Sequence, residues 1–131
     1  MEINITITAL YTALLTLLFV SLAFNIIRLR FKHKVGLGDG GEKELIKAIR
    51  IHGNFAEYVP LALILLAGFE LGGGDSLWVH IFGSVLFLSR ILHALGLSQS
   101  IGMSKPRAVG VISMFLVLLM LAIANIIAFI S

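Results

Sequence analysis

The stretch Ala108-Val109-Gly110-Val111-Ile112-Ser113-Met114-Phe115-Leu116-Val117-Leu118-Leu119-Met120-Leu121-Ala122-Ile123-Ala124-Asn125-Ile126-Ile127-Ala128-Phe129-Ile130 contains no charged residue. About 20 such residues in an α-helix cross the roughly 30 Å hydrocarbon core of a bilayer. Lipid offers the backbone no hydrogen bonds, so the segment must satisfy its own N–H and C=O groups, which a helix does. Pro106, two residues before the run, suits the first turn of that helix, where its missing N–H is not needed.

Three further stretches read the same way. The first runs from Ile5 to Ile27 and ends in a basic cluster, Arg28, Arg30, Lys32 and Lys34. The second is apolar from Phe55 to Leu71, and the amphipathic segment Glu42 to Asn54 before it is expected to continue the same helix. The third runs from Leu77 to Leu97. The expectation is an all-α, integral membrane four-helix bundle, with residues 1–131 forming one domain. The N-terminus, Met1-Glu2-Ile3-Asn4, lacks a basic n-region, and no Ala-x-Ala-like cleavage site follows. The first run is therefore expected to be a permanent span.

Composition agrees. Only 13% of the chain is charged and 59% is hydrophobic, against roughly a quarter charged in a soluble domain. The mean hydropathy is +1.05. The absence of cysteine excludes a disulfide framework, thiolate metal sites and a cysteine nucleophile. Any thiol chemistry needs a thiol from a substrate. No metal-ligand cluster is visible, and the basic residues lie at span boundaries, which gives no support to nucleic-acid binding.

The loops set the orientation. Gly36-Leu37-Gly38-Asp39-Gly40-Gly41 and the region Ser98 to Lys105 form the first and third connections. Around them stand Arg28, Arg30, Lys32, Lys34, Lys43, Lys47, Lys105 and Arg107, whereas the second, Gly72-Gly73-Gly74-Asp75-Ser76, is flanked by Glu70 and contains Asp75. Basic loops stay cytoplasmic, so the first and third connections are expected inside, and both termini outside.

Polar residues within spans need partners or a wet cavity. Arg50, Asn54 and Glu57 recur at i, i+4 and i+7, on one face of the second helix, with Tyr58 on an adjoining face. Arg90 and His93 lie at i and i+3 near the basic end of the third helix, and Arg107 opens the fourth. Arg28, Arg30, Lys32 and Lys34 read equally as topology anchors that snorkel to the interface. Glu57 is expected to be buried; its structural role would be an ion pair with Arg50 or Arg90. His52 and His93 are weak signals taken singly, and Asn54 serves equally as interhelical hydrogen-bond glue. Pro60 frees the carbonyl of Ala56, a packing kink or an acceptor beside Glu57.

The segment Arg50-Ile51-His52-Gly53-Asn54-Phe55-Ala56-Glu57-Tyr58-Val59-Pro60 resembles the second-helix signature of the MAPEG family, the membrane-associated proteins in eicosanoid and glutathione metabolism. That signature is Arg-x-x-x-Asn-x-x-Glu followed by proline. Arg90-Ile91-Leu92-His93 looks like the third-helix Arg-x-x-His of one branch, and Lys105-Pro106-Arg107 looks like the stretch that opens the fourth helix with an essential arginine. Arg28-Leu29-Arg30 matches the end of the first helix. The likeness covers nearly the whole chain and is nearest to short bacterial members.

The resemblance implies a homotrimer in a bacterial inner membrane, with glutathione as co-substrate held between subunits on the cytoplasmic side. It implies glutathione contacts from residues among Arg28, Arg30, Arg50, His52, Asn54, Glu57, Tyr58, Arg90 and His93, with Arg107 stabilising the thiolate. The chemistry suits these side chains. Arginine forks fit the two carboxylates of glutathione, and a carboxylate fits its α-ammonium. A thiol of reference pKa about 8.5 is only about 3% thiolate at pH 7. Lowering that pKa by about two units gives roughly three-quarters thiolate, for about 2.7 kcal/mol of differential stabilisation. Family enzymes often carry tyrosine one turn beyond the His93 position, where this chain has Leu97, and one branch has serine after the fourth-helix arginine, where this chain has Ala108.

The function implied is a glutathione transferase or peroxidase acting on lipophilic electrophiles drawn from the membrane. A second reading is a non-enzymatic lipid-binding or scaffold protein of the same fold. A third is a small exporter, but such proteins resemble one another by an essential Glu in the first helix, and the first span here carries no acid.

Overall fold

A computed structural model describes residues 3–99, 102 and 104–131. The Met1-Glu2 part of the N-terminal reading, and Ser100, Ile101 and Met103 of the third connection, lie outside the described residues. The chain forms four helices: α1 Thr6–His33, α2 Lys43–Leu71, α3 Ser76–Gln99 and α4 Lys105–Ile130. All four are long and apolar enough to cross a membrane, which makes the chain a multi-pass integral membrane protein.

The helices outrun the apolar runs. The first span continues to His33, so Arg28, Arg30 and Lys32 sit on the last turns of the helix and Lys34 forms its C-cap. There cations face the carbonyl end of the helix dipole, which favours them. The segment Glu42 to Asn54 does belong to the second helix, which begins at Lys43 and passes through Pro60 unbroken. Pro106 lies in the first turn of α4, and Ser104 caps that helix by accepting from the Arg107 N–H.

Short connections reverse the chain each time. α2 and α3 form the middle of the bundle; α1 packs on both and α4 packs on both, while α1 and α4 do not meet. Three apolar clusters stack along the bundle. Leu29, Leu45 and Ala48 lie at the basic end. Leu15, Phe55, Val59, Ala62, Leu86 and Met114 fill the middle. Leu66, Val79, Phe82, Val117 and Leu121 fill the far end. The outward faces of α1 and α4 are apolar and exposed, as lipid or a second protein surface requires.

Two devices hold the ends. At the far end the Glu70 carboxylate of α2 accepts from the Ile7 N–H at 3.0 Å, the Thr8 N–H at 2.8 Å and the Thr8 hydroxyl at 2.6 Å. It thus satisfies orphan donors of the α1 N-terminus. At the basic end Lys32 pairs with Glu44 at 2.8 Å. His33 lies between Glu42 and Glu44, at 3.3 and 3.1 Å. These contacts tie the end of α1 to the start of α2.

Candidate functional site

The spacing of Arg50, Asn54 and Glu57 puts them along one side of α2, and the structure splits their roles. Arg50 Nη1 lies 3.4 Å from Glu57 Oε1, and the two side chains are 55% and 52% exposed. Glu57 is therefore not buried within one chain, contrary to the sequence expectation, and of its two expected partners it takes Arg50. The reason is helical geometry. Residues seven apart stack two turns along one line, and here that line faces out of the chain. Gly53 sits beneath the pair, where an added Cβ would come 3.5 Å from Arg50 Nη1.

Asn54 is turned toward α3. Arg90 Nη2 donates to Asn54 Oδ1 at 2.5 Å and lies 3.3 Å from His93 Nδ1. Its Nη1 abuts the Met114 thioether of α4, and its guanidinium stands 6.0 Å from the centre of the Phe55 ring. Arg90 is 2% exposed and His93 1%. Among the described residues, the groups that hold this buried cation are neutral, and Arg90 Nε has no hydrogen-bond partner. The role of Met114 could not be read from sequence, where it is one apolar residue among many.

α4 approaches α3 closely because two glycines permit it. A Cβ on Gly96 would lie 2.5 Å from the Arg107 backbone nitrogen, and one on Gly110 would lie 2.6 Å from the Ser89 carbonyl oxygen. Small residues at a crossing let transmembrane backbones meet in this way. The crossing carries Arg107 to the His93 end of α3, where its Nη1 reaches the Gly102 carbonyl at 3.4 Å. Arg90 lies directly against His93, and the Gly96–Arg107 approach sets the start of α4 one turn further along α3. α3 and α4 thus bring Arg90 and Arg107 to the end of the bundle where α2 carries Arg50.

The remaining candidates are dispersed. His52 stacks on Phe19 of α1 at 4.6 Å, and Tyr58 meets Phe115 of α4 edge-on at 5.4 Å. Arg28 donates to Asn25 at 2.9 Å. Arg30 donates to the Val35 and Gly38 carbonyls at 3.4 and 2.8 Å, holding the loop after α1. Leu97 is buried.

A known family pattern spans this arrangement. The model of the MAPEG family matches residues 8–127, which include every candidate site residue. This chain belongs to the MAPEG family. A relative, Inner membrane protein YecN of Escherichia coli, is 39% identical over 119 residues, covering 91% of this chain and 89% of the relative. The protein of the same name from a second strain of that species matches equally. The bacterial MAPEG character expected from the second-helix motif is therefore established, and the membrane description of YecN agrees with the four spans. Two departures from the MAPEG pattern, Leu97 and Ala108, leave no hydroxyl at either position.

Proposed function

We propose that this MAPEG protein binds glutathione between copies of itself in a bacterial inner membrane and either conjugates it to lipophilic carbon electrophiles or uses two glutathiones to reduce a lipid hydroperoxide to the alcohol and water, with release of glutathione disulfide. The observation that carries the reading is the buried Arg90, held among the described residues by neutral groups, at the same end of the bundle as Arg50 and Arg107. A buried cation such as Arg90, held among the described residues by neutral groups, calls for an anion nearby. Glutathione carries two carboxylates, and its thiol becomes a third negative centre when ionised.

The fit can be stated residue by residue. Arg50 offers a fork for a carboxylate, and Glu57 beside it accepts from an α-ammonium. Both stand on the outward face of α2, where bare lipid would be a costly neighbour. A second copy of the chain would cover them, which supports sites between subunits; a homotrimer is the assembly that the family resemblance implies. Asn54, locked by Arg90, can still present its amide to a peptide group. His52, Tyr58, His93 and Arg28 complete the candidate lining; Arg30, the other first-helix arginine, is turned to the carbonyls of its own loop. Arg107 is placed to stabilise a thiolate by charge; it does not act as a base, because arginine keeps its proton in proteins.

The lack of a hydroxyl at Leu97 favours one alternative, a lipid-binding or scaffold protein without turnover. Consumption of glutathione with a lipophilic electrophile separates the two. Wild-type turnover at pH 7 that falls at least tenfold in Arg107→Ala supports the enzyme. No turnover by wild-type protein that does bind glutathione supports the scaffold.

A further inference from the structure

The basic end of α1 holds a further cationic surface. Ile27, Phe31 and Lys34 recur at i, i+4 and i+7, one line along the helix. With Arg30, Val35 and Gly36 they line a pocket of about 390 Å³. Its walls are largely apolar. Phe31 is 81% exposed and Leu37, at the tip of the adjoining loop, is 93% exposed.

The charges here are distributed unevenly. Lys32 is paired with Glu44, and His33 lies against Glu42 and Glu44. Lys34 and Arg30 enter no ion pair among the described residues, and Arg30 uses only Nη1 for its loop carbonyls. Lys34 also occupies an unusual backbone position. It ends α1 at φ 55 and ψ 42, and among the described residues it alone has a positive φ without being glycine. Helices commonly end in this left-handed conformation, and glycine is the residue that takes it freely. A lysine there accepts backbone strain to keep an ammonium group at the rim of an apolar pocket.

We propose that this pocket binds an anionic phospholipid of the basic-side leaflet, its phosphate on Lys34 and Arg30 and an acyl chain along Ile27 and Phe31. The amphiphile follows from the arrangement. A soluble anion would leave Phe31 uncovered, and a zwitterionic lipid would leave the two cations without net compensation. Basic pockets at membrane boundaries recognise anionic headgroups on these terms.

The test uses the whole protein, purified from mixed vesicles of phosphatidylcholine and phosphatidylglycerol, with retained lipid counted by native mass spectrometry. Wild-type protein is expected to retain phosphatidylglycerol several-fold over its share of the vesicle. Lys34→Gly removes the ammonium and suits the backbone better, so it should fold as well and lose the preference. Lys32→Ala removes a cation already paired with Glu44, and should keep it. The proposal fails if Lys34→Gly retains the preference, or if Lys32→Ala loses it to the same degree. It also fails if inorganic phosphate displaces the lipid, since that marks a small-anion site. Loss of glutathione binding in Lys34→Gly would assign the pocket to the thiol site, and would also overturn it.

Discussion

Arg90 donates to Asn54 across the α3–α2 boundary, and this bond holds a guanidinium that is almost fully enclosed. Neutral interhelical hydrogen bonds in membranes average about 0.6 kcal/mol. A bond from a buried charge is stronger, about 1.5 to 3 kcal/mol. Asn54→Leu should therefore destabilise the protein by about 2 kcal/mol, read as a lowered midpoint of thermal unfolding in detergent. An unchanged midpoint would mean that Arg90 finds another partner and that the bond is not structural.

Glu70 makes a separate, non-catalytic prediction. Its carboxylate accepts from the Ile7 and Thr8 amides, doing from α2 the work of an N-cap. Loss of a cap costs about 1 kcal/mol. Glu70→Ala should speed hydrogen exchange at the first turn of α1 and leave the middle of α3 protected. Uniform loss of protection along the chain would instead mark Glu70 as essential to the whole bundle.

The glycines divide by their surroundings. Gly110→Ala would place a methyl against the Ser89 carbonyl and the His93 backbone, both rigid. Overpacking of that kind costs about 1–3 kcal/mol, so expression in folded form and the unfolding midpoint should both fall. Gly36 has nothing within 4 Å of an added Cβ and no positive φ. Gly36→Ala should leave the midpoint unchanged or slightly raised.

The native chain has no cysteine, so single cysteines report topology directly. Gly36→Cys should react with a membrane-impermeant thiol reagent only after cells are opened. Ser76→Cys, at the exposed start of α3 next to Asp75, should react in intact cells once the reagent passes the outer layers. Reversed labelling would contradict the orientation expected from the basic loops.

Much of this architecture is legible in the sequence. Span positions follow from hydropathy, and the continuity of α2 through Asn54 follows from its amphipathic spacing. What the spacing of Arg50, Asn54 and Glu57 leaves undecided is which of them faces a neighbour. A helical repeat fixes relative angle within one helix and says nothing of where α3 stands. Hence Glu57 was expected inside and lies outside, while Asn54 turns inward. The roles of Met114, Glu70 and the Tyr11 hydroxyl, which lies 3.0 Å from His80 and 2.9 Å from Ser84, depend on contacts between residues far apart in the chain. Apolar and polar residues of these kinds carry no local signal for such contacts.

The central claim is that Arg50 and Glu57, an outward-facing pair on α2, form part of a glutathione site. Calorimetric titration of glutathione into the purified protein in detergent tests it, alongside Arg50→Ala and Glu57→Ala. The account predicts saturable binding by the wild-type protein that is weakened at least tenfold in each variant, all three remaining folded. Absence of binding by the folded wild-type protein, or undiminished binding by both variants, would contradict it.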